Sequence, residues 1–351
     1  MTKLSATIAS IKELDAHAMA AARTRQDQLT KPQGSLGRLE ELSIQIAGIT
    51  GNPMPHVNNK CIVTMAGDHG ICAQGVSAYP SEVTPQMVFG FLAGKAGVNV
   101  LAAHAGARVT VVDMGVASDL PDHPLLIKRK VARGTADFSC QPAMTREQAL
   151  QAVEAGIEIV ELEYKKGLDI VGTGDMGIGN TTPSTAIAAV ITKKPVVEIA
   201  GRGTGIDDKG LAHKIKVIEN ALMMHKPDAA DGIDILCKVG GFEIAGLAGV
   251  IIGAAGRRLP VVIDGFISGA AALIAAVLAP QSKQYMIAAH CSADAGHSVM
   301  LDFLGLEPLL DLRMRLGEGT GAALGISLCD AACKALTQMV TFAEAGVSGK
   351  K

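Results

Sequence analysis

Tryptophan is absent from the 351-residue sequence, and aromatic residues make up 3% of it. Stacking platforms for single-stranded nucleic acid and aromatic belts at a membrane surface are therefore poorly supplied. An excess of one charge is missing too: 32 Lys and Arg stand against 34 Asp and Glu, for a net charge of −2. That balance gives no electrostatic footprint for nucleic acid or an anionic membrane. The most apolar run, 265–280, falls short of the roughly 20 residues a bilayer span needs. It begins directly after Asp264 and reads as a buried helix. Lys12, Glu13 and Asp15 interrupt the N-terminal stretch, which supplies no secretory apolar core. The seven cysteines are odd in number, widely spread and contain no C-x-x-C pair. This is the usage of a reducing compartment, so buried thiols and a cytoplasmic location are expected.

What is present is a large core: 48% of residues are hydrophobic and 40 are glycine. Six short β-rich segments recur at 61–66, 109–113, 169–172, 196–200, 260–264 and 285–289, each running into glycine or polar residues and then toward a helical pattern. Such alternation is the sequence form of an α/β fold, a Rossmann-like parallel six-stranded sheet flanked by helices. Leu211, Ile215, Ile218 and Leu222 mark one helix after Asp207 and Asp208, which are cap candidates. Thr145 and Gln148 form a capping box at the head of another. The ends read differently, with helical patterns over 3–29, 36–50 and 321–345. They predict a small helical domain built from 1–50 plus 321–351, beside a large α/β domain spanning 51–320.

In open parallel sheets, ligands sit beyond the carboxyl ends of the strands. There the sequence carries GDHG (67–70), GTGDMGIGNTT (172–182), GRGTGIDD (201–208), DGFISG (264–269) and HCSADAGH (290–297). Glycine lets a backbone approach a ligand closely, and N–H groups at a following helix start hold an anion. Two such loops in succession, each with Thr and Asp, suggest a phosphate. Neither is a P-loop, and neither has the glycine spacing of a dinucleotide fingerprint. His290, Cys291, Asp294 and His297 match no standard zinc spacing. Ser292 fits better as a phosphate donor, and no metal is expected. Glu318, flanked by Gly317 and Gly319, reads either as a charge favouring a helix N-terminus or as a carboxylate that a pocket can desolvate toward general-base use.

Taken together, TKPQGSLGRLE (30–40), GDHGI (67–71), GIGNTTPS (177–184), KVGGFEIAGLAGV (238–250), VVIDGFISGAAAL (261–273) and MRLGEGTGAAL (314–324) resemble the nicotinate-nucleotide:dimethylbenzimidazole phosphoribosyltransferases of cobalamin nucleotide-loop assembly. The resemblance covers essentially the whole chain. It implies transfer of 5-phosphoribose from nicotinate mononucleotide to 5,6-dimethylbenzimidazole or a related base, by a single inverting displacement without metal or cofactor. It places Glu318 on the general base, with Asp175 and Lys214 as further catalytic positions. At Asp175 the family pattern usually has Glu, one methylene longer. Gly177, Asn180, Thr181, Gly203, Thr204, Gly205, Gly265 and Ser292 would form the phosphate and ribose site. Tyr79, Met87 and Met176 would line the base pocket. The resemblance also implies a homodimer with active sites near the subunit boundary.

Overall fold

The computed structural model describes residues 1–347, so the end of the predicted C-terminal segment, 348–351, lies outside the described residues. Six strands, β1 (Lys60–Gly67), β2 (Ala107–Gly115), β3 (Leu126–Lys128), β4 (Ile170–Met176), β5 (Val261–Ile263) and β6 (Met286–Ala288), form one sheet. Every pairing is parallel. The order is β3-β2-β1-β4-β5-β6. β1 and β4 are almost wholly buried, as strands covered by helices on both faces must be. After β1 the chain moves outward through β2 and β3 and then returns to the centre as β4. Loops after β1 and β4 therefore diverge, leaving a crevice at the topological switch point.

One strand expectation is corrected, and one strand was not anticipated. Segment 196–200 is not a strand: Pro195 takes the N-cap position, and Val196–Ile199 forms a single helical turn. Val196 and Ile199 are buried in the core all the same, so apolar content there reflects packing rather than extension. The sixth strand is instead β3, three residues at the sheet edge pairing only with β2. It carries one buried residue, too short a signal for alternation to register. The buried-thiol reading holds for Cys61, Cys329 and Cys333, whereas Cys72, Cys237 and Cys291 are half-buried and Cys140 is exposed.

Helix signals carried further. Phe266–Leu278 is buried from its first residue through Ala276. Asp207 caps Asp208–His225 by accepting from the Gly210 N–H. Thr145 and Gln148 close the predicted capping box on Arg146–Tyr164. This last helix and Phe242–Gly256 cover one sheet face. Val83–Leu92, Gly97–Ala105, Arg38–Thr50 and Thr320–Gln338 cover the other. At the sheet's margin Ala22, Ile44, Ala47 and Leu336 form a small apolar cluster joining Ala16–Gln28, Arg38–Thr50 and Thr320–Gln338. Lys3–Ser10 leaves that group and packs on Phe242–Gly256 instead, so the N-terminal segment straddles both faces.

Candidate active site

At the carboxyl ends of β4, β5 and β6 lies a cavity of about 240 Å³. Eight of the residues singled out in the sequence line it: Tyr79, Asp175, Asn180, Thr181, Gly203, Thr204, Gly265 and Ser292. Its remaining wall includes Phe266, His290, Asp294, Arg315, Leu316 and Gly317. The strand ends account for this convergence. Asp175 occupies the penultimate position of β4, Gly265 follows β5, and Ser292 lies four residues beyond the end of β6.

Several carboxylates are buried together there. The Asn180 amide donates to Asp175 Oδ2 at 3.0 Å. Burial pushes the Asp175 carboxyl well above the usual carboxylate range. The charges of Asp264, Glu243 and Glu318 add to this, and only the Asn180 hydrogen bond opposes it. Asp264 accepts from the Ala322 N–H at 2.8 Å and the Gly319 N–H at 3.2 Å. Burial nevertheless pushes Asp264 up to about 7. It thus ties the head of the helix Thr320–Gln338 to the end of β5.

Glu318 sits in a run of left-handed backbone, with φ of 81° at Gly317, 64° at Glu318 and 101° at Gly319. For a residue with a side chain this conformation costs about 1–3 kcal/mol, and the surroundings must hold it. They do so at both ends. Thr64 Oγ1 donates to the Glu318 carbonyl at 2.9 Å, and the Val98 N–H donates to Glu318 Oε2 at 3.0 Å. The carboxylate therefore faces the N-terminus of the helix Gly97–Ala105, not that of the helix it precedes. Burial raises its pKa, while the Val98 and Gly97 N–H groups act against the rise. Oε1 makes no hydrogen bond among the described residues. One oxygen thus anchors the group.

Arg315 lines the cavity, and a second cation, Lys214, lies behind Thr181 without lining it. Lys214 is fully buried. Its ammonium donates to Thr181 Oγ1 at 2.6 Å and forms no ion pair within 4.0 Å among the described residues. Burial lowers its pKa to about 8, with Asp294 and Cys72 opposing the shift. Thr181 opens the helix Thr181–Thr192. Gly203 presses on it, since a Cβ at that position would come within 2.8 Å of Thr181 Oγ1. The Arg315 guanidinium reaches the Gly203 carbonyl at 3.4 Å from the opposite rim. Lysine, arginine, hydroxyl and helix N-terminus together make an anion cradle.

Glu318 and Lys214 do not line this cavity, and Gly177, Gly205, Met87 and Met176 stand apart from it. Gly177 packs against the Gly67 carbonyl and His69 behind the wall. Gly205 has open space around it. Met87 and Met176 rest half-buried on the apolar cluster that contains Val98, so they approach the Glu318 side of the sheet rather than the cradle. Thr204 Oγ1 is engaged by the Ala78 N–H and the Ser77 hydroxyl, both at 3.1 Å, which fastens the 201–205 loop beside Tyr79. His297 Nδ1 accepts from the Ser292 N–H at 2.9 Å, and Asp294 Oδ2 lies 3.4 Å from the Ser292 hydroxyl. These side chains shape the turn that presents Ser292. Asp264, Arg315 and His290 were not singled out as site residues. Their only signal was position, directly after a strand or within the RLGEG segment.

A doubly wound parallel sheet with a lysine-backed anion cradle and buried carboxylates at the carboxyl ends of its strands defines a group-transfer enzyme acting on an anionic substrate. Comparisons with known proteins narrow this class. The family model described as phosphoribosyltransferase matches residues 11–347. A nicotinate-nucleotide–dimethylbenzimidazole phosphoribosyltransferase from Roseiflexus sp. (strain RS-1) is 65% identical over 350 residues, covering 100% of this chain and 99% of its own. The protein of that name from Geobacter sulfurreducens is 55% identical over 348 residues, covering 99% of each chain. Among solved structures, the enzyme of that name from Thermus thermophilus superposes with a TM-score of 0.91 at 43% identity, over 96% of this chain and 100% of that one. The chain belongs to the nicotinate-nucleotide–dimethylbenzimidazole phosphoribosyltransferase family and is a phosphoribosyltransferase.

Proposed function

We propose that the enzyme transfers 5-phosphoribose from nicotinate mononucleotide to 5,6-dimethylbenzimidazole or a related base. The products are nicotinate and α-ribazole 5′-phosphate, for the lower-ligand nucleotide loop of cobalamin. The substrates follow from the names its relatives carry, and the site supports them. The cradle of Thr181, Gly203, Lys214 and Ser292 takes the phosphate, which sets the ribose against Asp175 and Gly265. One nitrogen of the acceptor ring attacks C1′, while the bond to the nicotinate nitrogen breaks and its electron pair stays on the departing pyridine. Departure neutralises a pyridinium, so it calls for little acid catalysis. Attack from the face opposite the leaving group converts a β-nucleotide into an α-nucleoside in one inverting step.

The proton on the acceptor's other nitrogen goes to Glu318. The observation that carries this assignment is the division of labour within that carboxylate: Oε2 is held by Val98 and Oε1 is left unbonded. Met87 and Met176, on the same side of the sheet, supply polarisable surface for a flat base. Exposed Phe89, Val100 and Leu316 lie on the segments around Glu318 and support pairing of two copies there. Seven free thiols accord with a reducing cytoplasm. The test is Glu318→Gln, which keeps the shape and removes proton acceptance. Nicotinate release should fall by about 10²–10⁴ with donor binding retained. Near-normal turnover removes Glu318 from the role.

A further inference from the structure

One buried ionisable pair takes no part in the steps above. His69 follows β1, and Glu243 is the second residue of the helix Phe242–Gly256. His69 Nε2 lies 2.7 Å from Glu243 Oε1, with both side chains fully enclosed. Three backbones close over them. A Cβ at Gly67 or at Gly241 would come within 2.9 Å of Glu243 Oε2, and a Cβ at Gly177 would come within 3.1 Å of His69 Nε2. Gly67 ends β1, and Gly177 opens the turn that carries the chain from Asp175 to Asn180. Side chains this close to three glycine positions act as a spacer, fixing how far the β4 turn stands from β1.

We propose that the His69–Glu243 pair is a positioning device for the reaction centre: it seats the Gly177 turn, fixes the Asp175 carboxyl in the cavity wall and sets a carboxylate charge behind it. The groups facing Asp175 are Asp264 from the end of β5, Glu318 from the 317–319 turn, Glu243 from its helix and the Asn180 amide. None of these three carboxylates lines the cavity itself, and Glu243 is the one that pairs with a histidine. Facing His69 are Glu243 and Asp68. Burial disfavours the imidazolium, and these two carboxylates outweigh burial and raise its pKa. A charged His69 lies against Glu243, and the Glu243 charge adds to the rise in the Asp175 pKa.

The inference rests on the functional reading above only for its turnover measurement. The primary readout is ¹³C NMR of carboxyl-labelled aspartate, with Asp175 assigned as the signal lost in Asp175→Asn. In Glu243→Gln the side chain still accepts from His69 but carries no charge. The Asp175 titration midpoint should fall. An unmoved midpoint in the folded variant overturns the proposal. His69→Ala gives a second arm, because residue 69 borders a separate cavity of about 410 Å³, toward which loss of the enclosed ring opens an imidazole-sized space. Nicotinate release should fall at least about tenfold and recover with added imidazole. A folded His69→Ala indifferent to imidazole overturns the proposal as well, and this arm decides alone should Glu243→Gln not fold. If the wild-type protein released no nicotinate, the functional reading would fail while the titration still decided the pair.

Discussion

Replacing Gly174 with alanine adds one methyl group to β4 and tests whether the Glu318 backbone is as tightly placed as its contacts imply. Gly174 has ordinary strand geometry, so only contact decides the outcome. The new Cβ would lie 2.6 Å from the Glu318 carbonyl carbon, closer still to its oxygen, and 2.9 Å from the Gly319 nitrogen. Relief to an ordinary carbon contact requires the turn to retreat by about 1 Å. The turn cannot retreat without loss, because Thr64 holds the Glu318 carbonyl, Val98 holds its carboxylate and Asp264 holds the Gly319 N–H. A misplacement of about 1 Å at a reacting group costs on the order of 10²-fold, or about 2.7 kcal/mol of barrier. Overpacking by one methyl costs about 1–3 kcal/mol of stability, which a domain of this size survives. Gly174→Ala should therefore remain folded by circular dichroism, keep KM for nicotinate mononucleotide within about twofold and lose about 10²-fold in kcat. The double variant with Glu318→Gln should be little worse than Glu318→Gln alone, because both changes act through one carboxylate. Wild-type kcat in Gly174→Ala, or fully multiplicative losses in the double variant, would refute the reasoning.

Three further expectations follow from the other walls of the site. Gly203→Val should abolish calorimetric binding of nicotinate mononucleotide, since the side chain collides with Thr181 and demands a branched residue at φ 51°; unchanged binding would locate the cradle elsewhere. Lys214 has its pKa lowered to about 8 and is charged only below that value, so KM for the nucleotide should rise as pH passes about 8. That rise should be missing from the pH profile of Lys214→Met. Met176→Ala should change the order of kcat/KM across a panel of benzimidazoles and adenine more than it changes donor affinity, because one misplaced methyl in an apolar slot is worth only about 1–3 kcal/mol. Identical ratios for the two proteins would make Met176 ordinary core.

Where sequence and structure agree, the signal was local. Asp207 and Gly210, or Thr145 and Gln148, sit three residues apart, and a cap needs nothing else. β1 is a long, buried, apolar run legible as a strand, and β4 extends past the 169–172 segment read there, to Met176. Disagreement arises where a distant partner decides. The 196–200 segment has strand composition, yet Pro195 starts a helical turn. β3 exists because β2 offers it an edge. Within the site, Asp175, Asn180 and Thr181 were legible from one glycine-rich loop. The seat of Glu318 against Val98 was not, since nothing near residue 98 announces a carboxylate more than two hundred positions later. Likewise the His69–Glu243 contact joins residues 174 apart in sequence.

The Thr64–Glu318 hydrogen bond spans 254 residues, and it joins the first strand of the sheet to the last loop before the C-terminal helices. Closing so long a loop carries an entropic cost that is recovered only after the intervening strands and helices have packed. All six strands precede residue 318 in the chain, so the sheet order does not depend on the 317–319 turn. The left-handed turn at Glu318 finds its supports only when β1, β5 and the helix Gly97–Ala105 already stand in place. The seating of Glu318 is then among the last events of folding, and the sheet with its strand-end cavity stands before that carboxylate is fixed.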